Sequence, residues 1–253
     1  MVKLRCVMIS SLAAFAFASL AAAEPVSVDL SGFANGSWCN VGGGSLFGCD
    51  TLPTGQQTFN GQTFNIANGS SGNAWFSSVA ANNSSGTVSL VIPVNVAHVV
   101  SVSTLLNTLW GQTGASYDTV TFTGSAGANY TVGLTGDYAS RDYNRYIWTN
   151  TISPSAGTFL AWDNYGSGGA QRLDEQMFTL PDSFADQTLT SITITDRGDT
   201  MFSRVFLAGL TLQTNGAYAG ADPPAAVPEP AALLLSAAGL IGLGIWGRRR
   251  KRN

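Results

Sequence analysis

The chain has 253 residues and a formal net charge of −3, and only 11% of its residues are charged. Residues 24–230 contain five arginines and no lysine against all fifteen acidic residues, which gives this part a formal net charge of −10. A segment with that charge repels nucleic acid and anionic surfaces, so nucleic acid is excluded as a partner, and its length suits a single domain.

The N-terminus has the three parts of a secretory signal peptide. Lys3 and Arg5 are basic, an apolar run covers residues 7–20, and three alanines at 21–23 precede Glu24. A basic region, an apolar region and a small-residue cleavage site in this order direct export and are then removed. We predict a signal peptide over residues 1–23 and therefore an exported protein.

Two cysteines remain once this peptide is removed. Cys39 and Cys49 form an even pair in an oxidising compartment, and the glycine-rich segment between them is flexible enough to close. We expect a disulfide, worth about 2–3 kcal/mol for a loop of this length. A metal pair or a redox dithiol is the alternative, but the C-x-x-C spacing typical of both is absent.

The middle of the chain has the pattern of short strands separated by turns. Residues 118–124 and 129–136 alternate apolar and polar side chains, and so do residues 188–196, where Leu189 is out of phase with Ile192 and Ile194. Turn pairs such as Asn60-Gly61 punctuate the sequence. Residues 103–111, "STLLNTLWG", are the best candidate for a short helix. We predict an all-β fold, a β-sandwich over residues 24–213, followed by a linker over 214–226.

Residues 189–212, "LTSITITDRGDTMFSRVFLAGLTL", resemble the last strands of carbohydrate-binding modules with a galactose-binding-domain-like jelly roll. In that family a strand ending in T-D-x-G-D is followed by a loop and by the strand that closes the sandwich. The resemblance implies a jelly roll over about residues 90–213 with a ligand on loops at one end. A β-sandwich with no ligand is the alternative.

Aromatic residues mixed with polar ones mark two segments, "RDYNRYIWTN" and "LAWDNYGSGG". Sugar sites use such mixtures, because rings stack on the apolar face of a pyranose while amides and charged groups bond its hydroxyls. The same rings also suit a hydrophobic core. We take as candidate glycan-binding residues Trp148, Trp162, Tyr165, Arg141 and Asp142.

Signals for catalysis are weak. The only histidine, His98, lies among alternating apolar residues, where a structural role is the commoner one, and no nucleophile elbow is present. Two carboxyl groups would suffice to hydrolyse a glycoside, and the candidates are Asp137, Asp142, Asp163, Asp174 and Glu175. We therefore expect a non-enzymatic protein, with a secreted glycan-active hydrolase as the alternative.

No cofactor is expected. A structural calcium ion is the one candidate, because several aspartates on predicted loops of this acidic exported protein offer hard oxygen ligands. These aspartates are Asp137, Asp142, Asp163 and Asp196. The D-x-D-x-D-G loop of the commonest calcium sites is absent.

The C-terminal 27 residues combine three parts. Val227, Pro228, Glu229 and Pro230 precede an apolar run over residues 231–247, and five cations follow at 248–252. The run spans about 26 Å as a helix, enough for a thin bilayer, and the cations place its end in the cytoplasm. We predict a transmembrane helix over 231–247; a buried soluble helix is the alternative.

This order of parts resembles a PEP-CTERM sorting signal, the tail of bacterial proteins that an exosortase processes. The resemblance covers residues 227–253 and implies an address, with an exosortase as partner and the membrane as anchor before processing. We therefore expect an exported protein of the cell surface or extracellular matrix with a structural or glycan-binding role and an exopolysaccharide as the candidate ligand.

Overall fold

A computed structural model describes residues 25–37, 52–82, 86–111, 113–114, 116–146, 149–198 and 204–215. These residues are mostly β-strands in sheets. The predicted signal peptide, both cysteines of the predicted disulfide, Trp148 and the whole C-terminal tail lie outside them. Within the described part of the chain, no helix has both the length and the apolar character needed to cross a membrane.

Two antiparallel sheets and a hairpin contain all twelve strands that the structure describes. The first sheet has the order β1-β12-β6-β10-β9, with β4 also paired to β12, and the second has the order β5-β11-β7-β8. The strands of the first sheet are β1 (Pro25–Ser27), β4 (Trp75–Phe76), β6 (Val99–Leu109), β9 (Thr158–Asp163), β10 (Arg172–Thr179) and β12 (Arg204–Thr214). Those of the second are β5 (Val88–Ala97), β7 (Ser116–Gly124), β8 (Asn129–Thr135) and β11 (Thr188–Asp196). The hairpin consists of β2 (Gly55–Phe59) and β3 (Gln62–Ile66).

Helical structure is confined to single turns in the described ranges. The α-helix α1 (Ser77–Ala80) is one turn long, and the 3-10 turns cover Pro154–Ala156, Tyr165–Ser167 and Asp182–Phe184. The chain is thus almost free of helix where it is described, as the alternating pattern predicts.

The two sheets share one hydrophobic core. Its members include Ile92, Phe122 and Ile194 of the second sheet and Leu106 and Leu207 of the first, all without solvent exposure. Burial of such a side chain stabilises the fold by about 1.5–3 kcal/mol. Two sheets that bury their facing side chains against each other fit a β-sandwich.

A second core lies on the other face of the first sheet. Here Phe64 and Ile66 of β3 pack with Leu105 of β6 and with Phe206 of β12. Phe206 also stacks on Phe76, with ring centroids 5.3 Å apart. The hairpin therefore covers the face of the first sheet that points away from the second, and the first sheet is buried on both sides.

The predicted short helix over residues 103–111 is wrong, because residues 103–109 belong to strand β6. This strand pairs with both β12 and β10, so it lies in the interior of its sheet. Leu106 points to the core between the sheets, while Leu105 and Leu109 point to the core under the hairpin. A strand with two buried faces loses the apolar–polar alternation, and its leucines at i, i+1 and i+4 mimic a helical period.

The irregular phase of residues 188–196 has a structural cause. Strand β11 has a register shift between Leu189 and Ser191 against both of its neighbours. A bulge at this point lets Leu189, Ile192 and Ile194 all reach the core despite their uneven spacing. The jelly-roll connectivity expected for the sandwich stays a prediction. Strand β12 ends at Thr214, where the predicted linker begins.

Candidate functional site

A crossover segment, residues 141–144, is built into one end of the first sheet. It belongs to the connection between β8 and β9 and forms one bridge with the end of β6, between Thr108 and Asp142, and another with Gln171, just before β10. The amide of Thr108 donates to the carbonyl of Arg141 over 3.1 Å, and the amide of Arg172 donates to the carbonyl of Tyr143 over 2.9 Å. The β8–β9 connection is thereby joined to the ends of β6 and β10, where the β6–β7 connection begins and the β9–β10 connection ends.

Buried charges hold the crossover segment in place. The guanidinium of Arg141 donates two hydrogen bonds to the carboxylate of Asp174, over 2.7 and 2.6 Å, and a third to the carbonyl of Asn150 over 3.0 Å. Asp174 has no exposed surface and also accepts a 2.6 Å hydrogen bond from the side-chain nitrogen Nδ2 of Asn107. A bidentate pair whose carboxylate also accepts a further hydrogen bond has the geometry in which a buried ion pair is tolerated.

The carboxyl group of Asp142 joins two of the three connections. One oxygen accepts the backbone N–H of Trp110 and the other that of Asn144, each over 2.6 Å. Asp142 has no exposed surface, and this burial raises the pKa of its carboxyl to about 7 against the backbone hydrogen bonds and the charge of Arg172. Its position is that of a loop anchor.

Arg172, the first residue of β10, is the second cation of this buried network. Its Nε donates to the carbonyl of Asp142 over 2.8 Å, and one Nη donates to the carbonyl of Thr149 and to the side-chain oxygen of Asn150, each over 3.0 Å. The other Nη lies 3.4 Å from the hydroxyl of Tyr165. Burial, and then the neighbouring Arg141, lower the pKa of this guanidinium.

Aromatic side chains reach the surface above this network. The guanidinium carbon of Arg145 lies 4.2 Å from the ring centroid of Tyr165 and 4.7 Å from that of Tyr146, within cation–π range of both. Tyr146 and Tyr138, both in the β8–β9 connection, are 67% and 47% exposed. Trp110, in the β6–β7 connection, is 45% exposed. Rings of this kind on anchored loops offer flat apolar faces beside hydrogen-bonding groups.

The structure separates the predicted glycan-binding residues into two groups. Arg141 and Asp142 are buried and bonded within the chain, where they hold the loops. Tyr165 is partly exposed at the surface, and Trp162 is partly buried against the core under the hairpin. Trp148 lies outside the described residues. Glycan contact by any of the five stays a prediction.

Sequence reasoning missed the main supports of this end. Arg172 and Asn107 belong to separate segments, and neither lies in a motif that indicates a site. The local signal that existed was the run "RDYNRYIWTN", which contains both the buried Arg141 and the exposed Arg145 and Tyr146. Nothing in the run itself distinguishes its inward from its outward members.

A second buried ionic cluster lies elsewhere, between the ends of β7, β11 and β12. Asp196 accepts bonds from Arg204 over 3.3 Å, from the amides of Gly198 and Val205, and from the hydroxyl of Ser77. Asp118 is its register partner on β7, and burial together with the charge of Asp196 raises the pKa of Asp118 well above its usual range. This cluster ties α1 to both sheets and has a structural role.

The aspartates considered as calcium ligands accept hydrogen bonds from the protein. Asp137 accepts the amides of Asn150 and Thr151 and the hydroxyl of Thr113, and Asp163 accepts the amide of Tyr165. In the ranges the structure describes, no three His, Cys, Asp or Glu side chains group together in a way that could hold a metal ion. A structural calcium ion stays a prediction.

His98 does not lie within a strand. It occupies the turn between β5 and β6 with a φ of 58°, and its Nδ1 lies 2.8 Å from the carbonyl of Ala185. The ring therefore connects this turn to the residue after the Asp182–Phe184 turn.

Comparison with known proteins identifies the tail. Residues 226–251 match the PEP-CTERM protein-sorting motif, which confirms the resemblance of Val227–Pro230 and the residues after them. This motif marks an exported protein that is anchored to the membrane and sorted by an exosortase. No curated protein matches the chain. Among solved structures, "CBM35 from Cellvibrio japonicus Abf62" is similar at 16% identity, with 64% of this chain and 80% of that chain covered and a TM-score of 0.20.

Proposed function

We propose that this exosortase-sorted protein is a non-enzymatic component of the cell surface or extracellular matrix and that it binds a glycan through the loops at one end of its first sheet. The observation that carries the proposal is the pairing of exposed aromatic rings with a buried support that hydrogen bonds and an ion pair hold in place. Tyr146, Tyr138 and Trp110 are exposed on two connections that the Asp142 carboxyl and the Arg141–Asp174 pair hold in place.

Rigid support favours binding because little conformational freedom is lost when a ligand arrives. Stacking of a sugar on a tyrosine or tryptophan ring needs the ring to be held at a fixed angle, and neighbouring hydroxyls and guanidinium groups then bond the sugar oxygens. Tyr165 and Arg145 supply such groups at the same place. An exported protein sorted to the cell surface would meet exopolysaccharides there, so an exopolysaccharide is the glycan that we propose.

Binding is tested with the full-length chain purified in detergent, applied to immobilised xylan, galactan, alginate and xanthan. We expect binding to at least one polysaccharide, reduced about tenfold by Tyr146→Ala and by Tyr165→Ala, since each removes a ring from the surface. Val91→Ala is the matched control, because Val91 is an exposed apolar residue of the second sheet.

The same preparations distinguish the binding protein from a hydrolase. A glycosidase needs one carboxyl group as acid and a second as base or nucleophile. We expect no release of reducing ends from any of the four polysaccharides. Steady release that a single Asp or Glu substitution abolishes would overturn the proposal in favour of a glycan-active enzyme, and an absence of binding to every glycan would leave only a structural role.

A further inference from the structure

Trp110 adopts a backbone conformation that tryptophan rarely takes. It follows the last residue of β6 and has a φ of 56°, in the left-handed region where a Cβ crowds the following carbonyl oxygen. Its side chain is nevertheless 45% exposed, so packing of the ring in a core does not account for the strain. Strained backbone persists only where its surroundings determine it and is concentrated at functional sites.

The surroundings of Trp110 do determine it. Its amide donates a 2.6 Å hydrogen bond to the buried carboxyl of Asp142. The next residue, Gly111, leaves no room for a side chain, since a Cβ there would lie 2.4 Å from the Thr108 hydroxyl and 2.6 Å from the Thr149 hydroxyl. The chain is therefore hydrogen-bonded at Trp110 and closely packed at the next residue.

Asp142 is itself fixed from three directions. Its amide donates to the Thr149 hydroxyl over 2.8 Å, its carbonyl accepts from Arg172, and its second carboxyl oxygen accepts the Asn144 amide. Its carboxyl oxygens form no ion pair with a cation in the described part of the chain, where the two ion pairs are those of Asp174 and Asp196. The carboxyl group is thus directed at the backbone amides of two loops.

We propose that Trp110 is a contact residue of the glycan surface and that Asp142 is the positioning residue that fixes its ring. This inference rests on the proposed function and assigns roles within it. Asp142 joins the loop of Trp110 to the loop of Tyr146 through Asn144. The backbone amide of Asn144 donates to the Asp142 carboxyl, and the side-chain oxygen of Asn144 accepts the backbone amide of Tyr146. The backbone segments that carry the two exposed rings are therefore linked through one carboxyl group.

The contact role is tested with Trp110→Gly in the full-length chain on the same four polysaccharides. Glycine accepts a positive φ without strain, so the variant removes the ring and keeps the backbone conformation. We expect binding to fall about tenfold or more. If the wild type binds and Trp110→Gly binds equally well, the inference is wrong although the proposed function stands.

The positioning role is tested without a ligand, by fluorine NMR of the chain labelled with 5-fluorotryptophan. The Trp110 signal is assigned by its loss in Trp110→Gly. Asp142→Asn keeps the side-chain shape but leaves one oxygen acceptor in place of the two that bond the Trp110 and Asn144 amides. We therefore expect the Trp110 signal to shift or broaden, while the signal of buried Trp75 is unchanged. An unchanged Trp110 signal would overturn the positioning role.

A milder variant covers the case in which Asp142→Asn does not fold. Thr149→Val removes the hydroxyl that the Asp142 amide bonds and preserves the side-chain shape, and it should move the Trp110 signal in the same way. If Thr149→Val and Asp142→Asn both leave that signal in place, Asp142 has no positioning role. If the wild type binds none of the four polysaccharides, the proposed function fails, while the NMR result still decides whether Asp142 positions Trp110.

Discussion

Most of the arginines of the described domain lie inside it. Arg141, Arg172 and Arg204 are at most 9% exposed, and each bonds carboxylates or backbone carbonyls from distant parts of the chain. Five hydrogen-bond donors in a planar fork let one guanidinium bond several segments at once, which a lysine cannot do in the same geometry. The absence of lysine between residues 24 and 230 agrees with this use of arginine.

The ion pair of Arg141 and Asp174 gives the first prediction. Arg141→Leu leaves the carboxylate of Asp174 buried without its cation, so we expect a loss of about 3–5 kcal/mol in the free energy of unfolding, measured by urea denaturation. The double variant Arg141→Leu with Asp174→Leu should recover most of that loss, because no unpaired charge remains. A cost below about 1 kcal/mol for Arg141→Leu would contradict the structural role of the pair.

The raised pKa of Asp142 predicts a pH dependence of stability. From about pH 4 to about pH 7 the unfolded chain has released this proton, while the folded chain keeps it. The contribution of this group to the free energy of unfolding therefore falls as the pH rises through that window, by up to about 1.4 kcal/mol per pH unit. We expect the thermal midpoint to fall between pH 5 and pH 7, and to fall less in Asp142→Asn.

Two other groups add to this slope, since burial also raises the pKa of Asp118 and of Glu175. The difference between wild type and Asp142→Asn isolates the part due to Asp142. Asp186→Asn, at an exposed position, is the control. An Asp142→Asn curve parallel to the wild-type curve would show that Asp142 does not titrate in this range.

At the scale of elements, the hairpin of β2 and β3 makes the first sheet an inner layer. The side chain of Asn60 in the hairpin turn donates to the carbonyl of Leu160 and to the carboxylate of Glu175, both on the sheet below. Phe64 enters the core under the hairpin, where it meets Gly209 of β12. The absence of a side chain at Gly209 lets the hairpin approach this closely.

Gly209→Val tests that packing. A Cβ at this position would lie 2.9 Å from a Leu105 methyl carbon and 3.0 Å from a Phe64 ring carbon, so the hairpin must shift. We expect a loss of about 1–3 kcal/mol in the free energy of unfolding, measured by urea denaturation. Gly166→Ala is the matched control, since a Cβ there would meet nothing within 4 Å, and its effect should stay within about 0.5 kcal/mol.

At the scale of the whole molecule, the chain combines a sorting tail with a domain whose described part is all β. The match over residues 226–251 implies sorting by an exosortase, and the loop end of the first sheet is where we propose a binding role. The two parts are tested separately, because the sorting prediction and the binding proposal concern different residues.

The sorting prediction concerns Glu229 and Pro230. The double variant Glu229→Ala with Pro230→Ala alters the polar motif and leaves the apolar run and the cations unchanged, so we expect cells to retain an unprocessed, membrane-bound form. Fractionation and mass spectrometry of the protein measure this. Asp222→Ala, in the predicted linker, is the control and should be processed like the wild type. Normal processing of the double variant would contradict exosortase recognition through this motif.

The sequence by itself determined the sorting tail, the all-β class and several strands, because each of these depends on residues that are neighbours in the chain. The alternation of Val120 and Phe122, or of Ile192 and Ile194, places them in the core whatever else the fold does. The signal peptide and the disulfide rest on equally local patterns and stay predictions.

Only the tertiary structure decided which side chains face inward at the candidate site and how β6 folds. Arg141 meets Asp174 across 33 positions of sequence, and neighbouring Arg145 stacks on surface tyrosines, although both lie in one polar run. The leucines of β6 lie in a strand that the second sheet covers on one face and the hairpin covers on the other. The spacing of these leucines in the sequence does not show that burial. Pairing and burial depend on which distant segments meet, so their free energy is a property of the folded chain as a whole.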